Sequence, residues 1–140
     1  MNADTLAAIE EIKQLKARYF RLMDTKQWDE WAGVFTADLE AWVQDTTAGT
    51  HGRDHFVSAV RAALADAVTV HHGHMPEIEV TGPDTARAIW AMFDYVKITD
   101  PKRPRELKGY GHYHEEYRKE PDGQWRISSL RLHRLRVDYS

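Results

Sequence analysis

The 140-residue chain contains no cysteine, which excludes a disulfide framework, a thiolate nucleophile and any zinc site of the cysteine type. It also lacks a long apolar run: no stretch reaches the length of a membrane-spanning helix. Met1 to Leu6 has neither the basic start nor the apolar run of a signal peptide. The cytoplasm is therefore the expected compartment, with no membrane partner. Charge of one sign is lacking too. Nineteen Lys and Arg stand against 22 Asp and Glu, a formal net charge of −3, so no basic field for nucleic acid exists. The one basic cluster, Lys102-Arg103-Pro104-Arg105, reads as a solvated connection broken by proline. No repeat, low-complexity run or linker divides the chain. A single domain over residues 1–140 is expected, large enough to bury a core.

What is present is an ordinary apolar share, 42%, arranged first with helical and then with strand periodicity. From about Asp4 to Met23, Ala8, Ile12, Leu15, Tyr19 and Leu22/Met23 recur every three or four positions, with Glu10, Glu11, Lys13, Lys16 and Arg18 on the other face. Asp4 or Asn2 can cap this helix, and Asp24 falls at its end. Thr25 can cap a short second helix in which Trp28, Trp31 and Ala32 share a face. Leu39 to Val43 alternates as a strand, with Trp42 opposite Leu39, Ala41 and Val43. Thr46 to Gly52 reads as loop, and Asp54 as the cap of a third helix carrying Phe56, Val57, Val60 and Leu64. Long strands follow at Thr85 to Ile98, Gly109 to Tyr117 and Gln124 to Val137, the last two joined at Asp122-Gly123. The expected fold is α+β: a strongly curved antiparallel sheet wrapped around three helices from the N-terminal half, leaving a hollow for a small molecule.

Three of the eight histidines fall within four positions, His71, His72 and His74, in a stretch that opens with β-branched residues and runs to Val80. It reads as one strand bent at Gly73 and Pro76. Alternation then puts His71 on one side and His72 and His74 on the other. Asp94 lies mid-strand among Ala86, Ala88, Trp90, Met92 and Val96, where an ionised carboxylate is costly unless paired. Tyr19, Asp24, His71 and Asp94 form the candidate catalytic set. The chemistry that wants them is proton abstraction beside an activating group: His71 as base, a carboxylate fixing its tautomer, Tyr19 with Asp94 serving the oxygen. By residue type alone, a Tyr on a helix stripe such as Tyr19 is more often core than catalyst, and His71 is as often structural as functional.

Lys16 to Asp24, followed by Trp28 and Phe35-Thr36-Ala37-Asp38, resembles the opening of the SnoaL-like branch of the nuclear transport factor 2-like superfamily. So do Thr69 to His74, Tyr117-Arg118-Lys119 and Asp122 to Ile127. The resemblance spans nearly the whole chain and is greatest to the bile-acid 7α-dehydratase, scytalone dehydratase and hexachlorocyclohexane dehydrochlorinase group. It implies a cone-shaped fold and a cofactor-independent lyase or isomerase in which Asp24 pairs with His71. It also implies roles for Tyr19 and Asp94, and a late-strand arginine at Arg134. The superfamily includes pure binding proteins, so a non-catalytic ligand- or partner-binding module is the rival expectation.

Trp42, Met75, Trp90, Met92, Tyr113 and Arg134 are the expected substrate-binding residues, suited to a flat, largely apolar sterol, polyketide or terpenoid. Arg134 is expected to hold an anionic or polarised group. If the His72/His74 strand neighboured the His112/His114 strand, four imidazoles could gather round a metal. The second half of a cupin pattern is missing, however, so neither metal nor cofactor is expected. Ile89, Phe93 and Tyr95 give the long Thr85 to Ile98 strand a second apolar face, which predicts a homodimer or trimer.

Overall fold

Caps and periodicity define the long opening helix, α1 (Ala3–Asp24). Asn2, rather than Asp4, caps it, its side-chain oxygen accepting from the Thr5 amide at 2.8 Å. Thr25 does not start the next helix; it closes α1, donating its hydroxyl to the Arg21 carbonyl at 2.7 Å. The short α2 (Trp28–Ala32) follows without a side-chain cap. The third helix, α3 (Arg53–Leu64), begins after Gly52 at φ 94°, so the cap position goes to a glycine and Asp54 sits inside the first turn. The computed structural model describes residues 1–44, 47–103 and 105–140.

Six strands form one sheet: β1 (Phe35–Val43), β2 (Thr47–His51), β3 (Ala67–Val80), β4 (Thr85–Ile98), β5 (Arg105–Lys119) and β6 (Trp125–Tyr139). Their spatial order is β2-β1-β6-β5-β4-β3. Neighbours are antiparallel except β1 and β6, which run parallel, so the expected all-antiparallel sheet carries one parallel pair. The expected loop after β1 contains the edge strand β2, which pairs with β1 through Ala41–Thr50. An edge strand bonds one neighbour only, so its sequence need not alternate in the way a core strand's does. Thr46 and Pro104 of the expected loops, and Asp45, lie outside the described residues.

The inner face of the curved sheet packs on the helices. Ile12, Leu15, Trp31, Phe35, Leu39, Ile127 and Leu130 are almost wholly sequestered, each stabilising by about 1.5–3 kcal/mol. Tyr19, Trp31, Phe35 and Phe56 meet ring to ring at 4.9–5.9 Å between centroids. The irregularity in β3 falls between His74 and Glu77, with Met75 at φ 32°. Gly73 stays in register opposite Met92. What it supplies is room, since a Cβ there would lie 2.7 Å from the Phe20 ring of α1.

Lys16 departs furthest from the pattern. Expected on the charged face of α1, it is 0% exposed and pairs with Glu115 of β5 at 2.6 Å. Lys16→Met alone strands a buried carboxylate and is expected to lower stability by roughly 3–5 kcal/mol in urea denaturation. Lys16→Met with Glu115→Leu is expected to unfold at least as late as the wild type, by about 0–4 kcal/mol. A mild single variant would contradict the pairing. Among the described residues, no helix is long and apolar enough to cross a membrane.

Candidate functional site

Where α1 ends, its last residue turns toward β3. Asp24 Oδ1 lies 2.7 Å from His71 Nδ1, and Asp24 Oδ2 accepts the His71 backbone N–H at 2.7 Å. Thr69, two residues earlier on the same face of β3, donates its hydroxyl to Asp24 Oδ1 at 2.9 Å, and Lys26 Nζ donates to Thr69 at 2.9 Å. A carboxylate is an acceptor, so the proton between Asp24 and Nδ1 belongs to the ring. Nε2 is then the unprotonated nitrogen of the neutral imidazole.

Nε2 faces Asp94, with Oδ2 at 3.8 Å. That separation is too long for a hydrogen bond. Asp94 is directly opposite His71 in the β3–β4 register. Its carboxylate meets Arg134 of β6 in a bidentate pair, both N···O distances being 2.9 Å. The guanidinium crosses the intervening strand β5 at Gly109, where a Cβ would stand 1.9 Å from Arg134 Nη1 and 2.1 Å from Asp94 Oδ1. The arginine expected to hold substrate thus has both Nη groups engaged by Asp94. Gln44 accepts its backbone N–H at 2.8 Å.

These groups close one end of a cavity of about 370 Å³. Tyr19 and Tyr113 share that end and a hydrogen bond with each other. Burial pushes both phenols well above their ordinary value, Glu115 adding to the rise at Tyr19 and the neighbouring Tyr19 to that at Tyr113. Both are therefore neutral over the physiological range, and with Tyr113 donating to Tyr19 it is the Tyr19 hydroxyl that is left to donate into the cavity. Apart from Arg105, the other walls are apolar: Met23, Trp31, Val43, Val96, Leu107, Leu132 and one face of α3.

The cavity brings together Tyr19, His71, Asp94, Tyr113 and Arg134, with Asp24 behind His71. Four expected wall residues lie elsewhere. Met75, past the β3 irregularity, is 93% exposed. Trp42 alternates with cavity-lining Val43 and so points to the outer face, its ring 4.9 Å from that of His133 and 5.2 Å from the Arg131 guanidinium. Trp90 donates its indole N–H to Tyr117 and borders a groove between α1 and β3 on the far side of His71. Met92 is buried without lining the cavity. The wall that sequence reasoning missed is α3, through Phe56, Ala59, Val60, Ala63 and Leu64. Small residues at 59 and 63 on an otherwise apolar stripe were the available signal. They leave space against the sheet, and only Phe56 of the helix is fully buried.

The remaining histidines stand apart. β4 separates β3 from β5, so His72 and His74 cannot meet His112 and His114 as a four-imidazole group. Among the described residues, no cluster of three or more histidine or carboxylate groups is placed to hold a metal.

A curved sheet wrapped round three helices is the fold of the nuclear transport factor 2-like class, and solved structures share it. A scytalone dehydratase candidate from Novosphingobium aromaticivorans superposes with a TM-score of 0.87 at 22% identity, over 99% of this chain and 91% of that one. A hexachlorocyclohexane dehydrochlorinase from Novosphingobium barchaimii superposes with a TM-score of 0.84 at 19% identity, over 98% and 92%. A protein from Gibberella zeae named a probable cyclase is 28% identical, across 89% of each chain. The SnoaL-like domain model matches residues 4–131, and the chain belongs to that family.

Proposed function

We propose that the protein is a cytoplasmic, cofactor-independent lyase or isomerase for a flat, largely apolar carbonyl compound of the sterol, polyketide or terpenoid kind. One observation carries this reading: an Asp24–His71 pair at 2.7 Å whose second ring nitrogen serves a mostly apolar cavity. His71 Nε2 takes the proton from a carbon beside the carbonyl. The C–H electron pair becomes an enolate, whose oxygen accepts from the Tyr19 hydroxyl, the Tyr113 hydroxyl donating to Tyr19 behind it. In elimination the enolate expels a β-substituent with its bonding pair, and the proton held by His71 leaves with it. In isomerisation the same proton returns to a vinylogous carbon.

The imidazolium formed in either case lies between two carboxylates, Asp24 and Asp94, which offset its charge. Asp94, already bidentate with Arg134, serves here as a counter-charge rather than as the partner of Tyr19 at the oxygen. The names of the similar proteins support elimination or cyclisation chemistry of this type.

The test needs no knowledge of the natural substrate. 2-Tetralone, a rigid bicyclic ketone, reports enolisation by exchanging its α-protons for deuterium, followed by proton NMR. The wild-type protein is expected to accelerate exchange and His71→Ala to return it to the buffer rate. No acceleration by wild type, or an unimpaired His71→Ala, overturns the proposal.

The assembly proposal rests on the outer sheet face. Ile89 and Tyr110 are exposed there beside half-buried Phe93 and Tyr95, an apolar surface suited to a second copy. Light scattering is expected to give two or three times the 16.2 kDa chain mass. A monomer at micromolar concentration contradicts it.

A further inference from the structure

Behind the polar end of the cavity lies a charged group that the steps above leave unused. The Lys16 ammonium sits 3.6 Å from the centroid of the Tyr19 ring and 3.7 Å from that of Tyr113, with Phe20 at 4.8 Å. Glu115 Oε2 holds it at 2.6 Å. Glu115 Oε1 accepts the Tyr117 hydroxyl at 2.6 Å, and the Tyr117 oxygen accepts the Trp90 indole N–H at 2.9 Å. Both charged side chains are 0% exposed. Desolvation of such a pair consumes most of its Coulomb gain, so stability gives little reason for a cation at this place. What the cation does have is contact with the two phenols that line the cavity.

We propose that Lys16 is a positioning residue of this site: anchored by Glu115, its ammonium clamps the Tyr19 and Tyr113 rings and polarises their hydroxyls toward a substrate oxyanion. The proposal rests on the enolisation reading above. A cation over an aromatic face draws on the ring's electron density. It thereby stabilises the negative charge that gathers on a phenol oxygen as that hydroxyl donates to an enolate. The contact is fully buried, so its effect is larger than at a surface. The clamp also holds both rings from behind, which fixes the donors before substrate arrives.

The geometry implies a pH signature. The groups facing the ammonium are Glu115, Tyr113 and Tyr117 from β5 and Tyr19 from α1, with Asp94 and Asp24 acting on Tyr19 from β4 and the end of α1. Burial lowers Lys16 to about 8, against the opposing pull of Glu115. As pH rises through that value the ammonium is lost while the Glu115 carboxylate remains beneath the phenols. The clamp then opposes charge on the substrate oxygen, and exchange falls.

The experiment measures kcat, KM and pH profile for 2-tetralone exchange in four proteins: wild type, Lys16→Met/Glu115→Gln, Tyr19→Phe/Tyr113→Phe, and all four changes combined. Neutralising the ion pair is expected to lower kcat about tenfold with KM within about twofold and to remove the descending limb. It should cost nothing further in the phenylalanine background. Equal losses in both backgrounds, an unchanged kcat or a retained limb overturn the proposal. Should the ion-pair variant fail to fold by circular dichroism, Glu115→Gln alone decides. It keeps the ammonium but removes the group that raises its pKa, so the limb must move to lower pH; an unmoved limb overturns the proposal. His71→Ala separates the two readings. Exchange that needs His71 but ignores Lys16 sinks this inference alone; exchange that ignores His71 sinks both.

Discussion

Replacement of His71 by alanine is expected to cost roughly 10²–10⁴-fold in 2-tetralone exchange, and Asp24→Asn to cost a comparable factor, up to roughly 10⁴-fold, with the fold intact in both. The second result follows from how Asp24 is used. Its two oxygens accept from the His71 ring, the His71 backbone N–H and the Thr69 hydroxyl. An asparagine offers one oxygen to these donors. If that oxygen serves the backbone, the amide NH2 faces Nδ1, the ring proton moves to Nε2, and the base is gone. If it serves the ring, the tautomer survives but the charge opposite the imidazolium does not. Either way the loss falls on kcat, since Asp24 stands behind His71 and touches no substrate. Circular dichroism beside the exchange kinetics separates this from unfolding. An Asp24→Asn variant retaining more than about a tenth of wild-type kcat would remove Asp24 from the site.

Local periodicity made the placement of these residues legible, while the pairing of Asp24 with His71 was implied by the SnoaL-like resemblance. Asp24 follows Tyr19 at the end of a stripe with helical spacing, and strand alternation alone turns His71 one way and His72 and His74 the other. The apolar neighbours of Asp94 required a partner for its charge, and one exists. That the partner is Arg134 was not legible. The arginine reaches Asp94 across a third strand, and the enabling feature is the missing side chain of Gly109. Gly109-Tyr110-Gly111 reads in the sequence as the start of a strand, although glycine inside a strand often marks a close approach or a bulge. Both occur here: the arginine passes over Gly109, and the β5–β6 register shifts between Tyr110 and Gly111. Lys16 was misplaced for a similar reason. A lysine at the edge of a helical stripe is ordinarily solvated, and the group that buries it, Glu115, lies 99 positions away. Trp42 alternates with cavity-lining Val43 and so faces away from the pocket expected to hold it. At Met75 the backbone leaves regular alternation, which carries that side chain out of the expected wall.

Gly109→Ala should therefore be among the most damaging small substitutions in the chain. The added Cβ would stand 1.9 Å from Arg134 Nη1 and 2.1 Å from Asp94 Oδ1. Neither end can yield cheaply. Asp94 is buried and opposite His71 in the register, and Arg134 leaves its strand beside the Tyr110/Gly111 irregularity. The pair must separate, leaving a carboxylate buried without its counter-charge at a cost of roughly 3–5 kcal/mol. Urea denaturation measures this directly. Exchange of 2-tetralone should fall as well, because Asp94 no longer faces Nε2 in its place. The cause can be isolated by a cycle. In an Asp94→Leu/Arg134→Met background there is no ion pair to break, and alanine at position 109 is expected to cost less than about 1 kcal/mol beyond that background. A Gly109→Ala protein as stable as wild type would mean that the guanidinium reaches Asp94 by another route. An equal penalty in both backgrounds would assign the loss to the backbone of β5 and not to the ion pair.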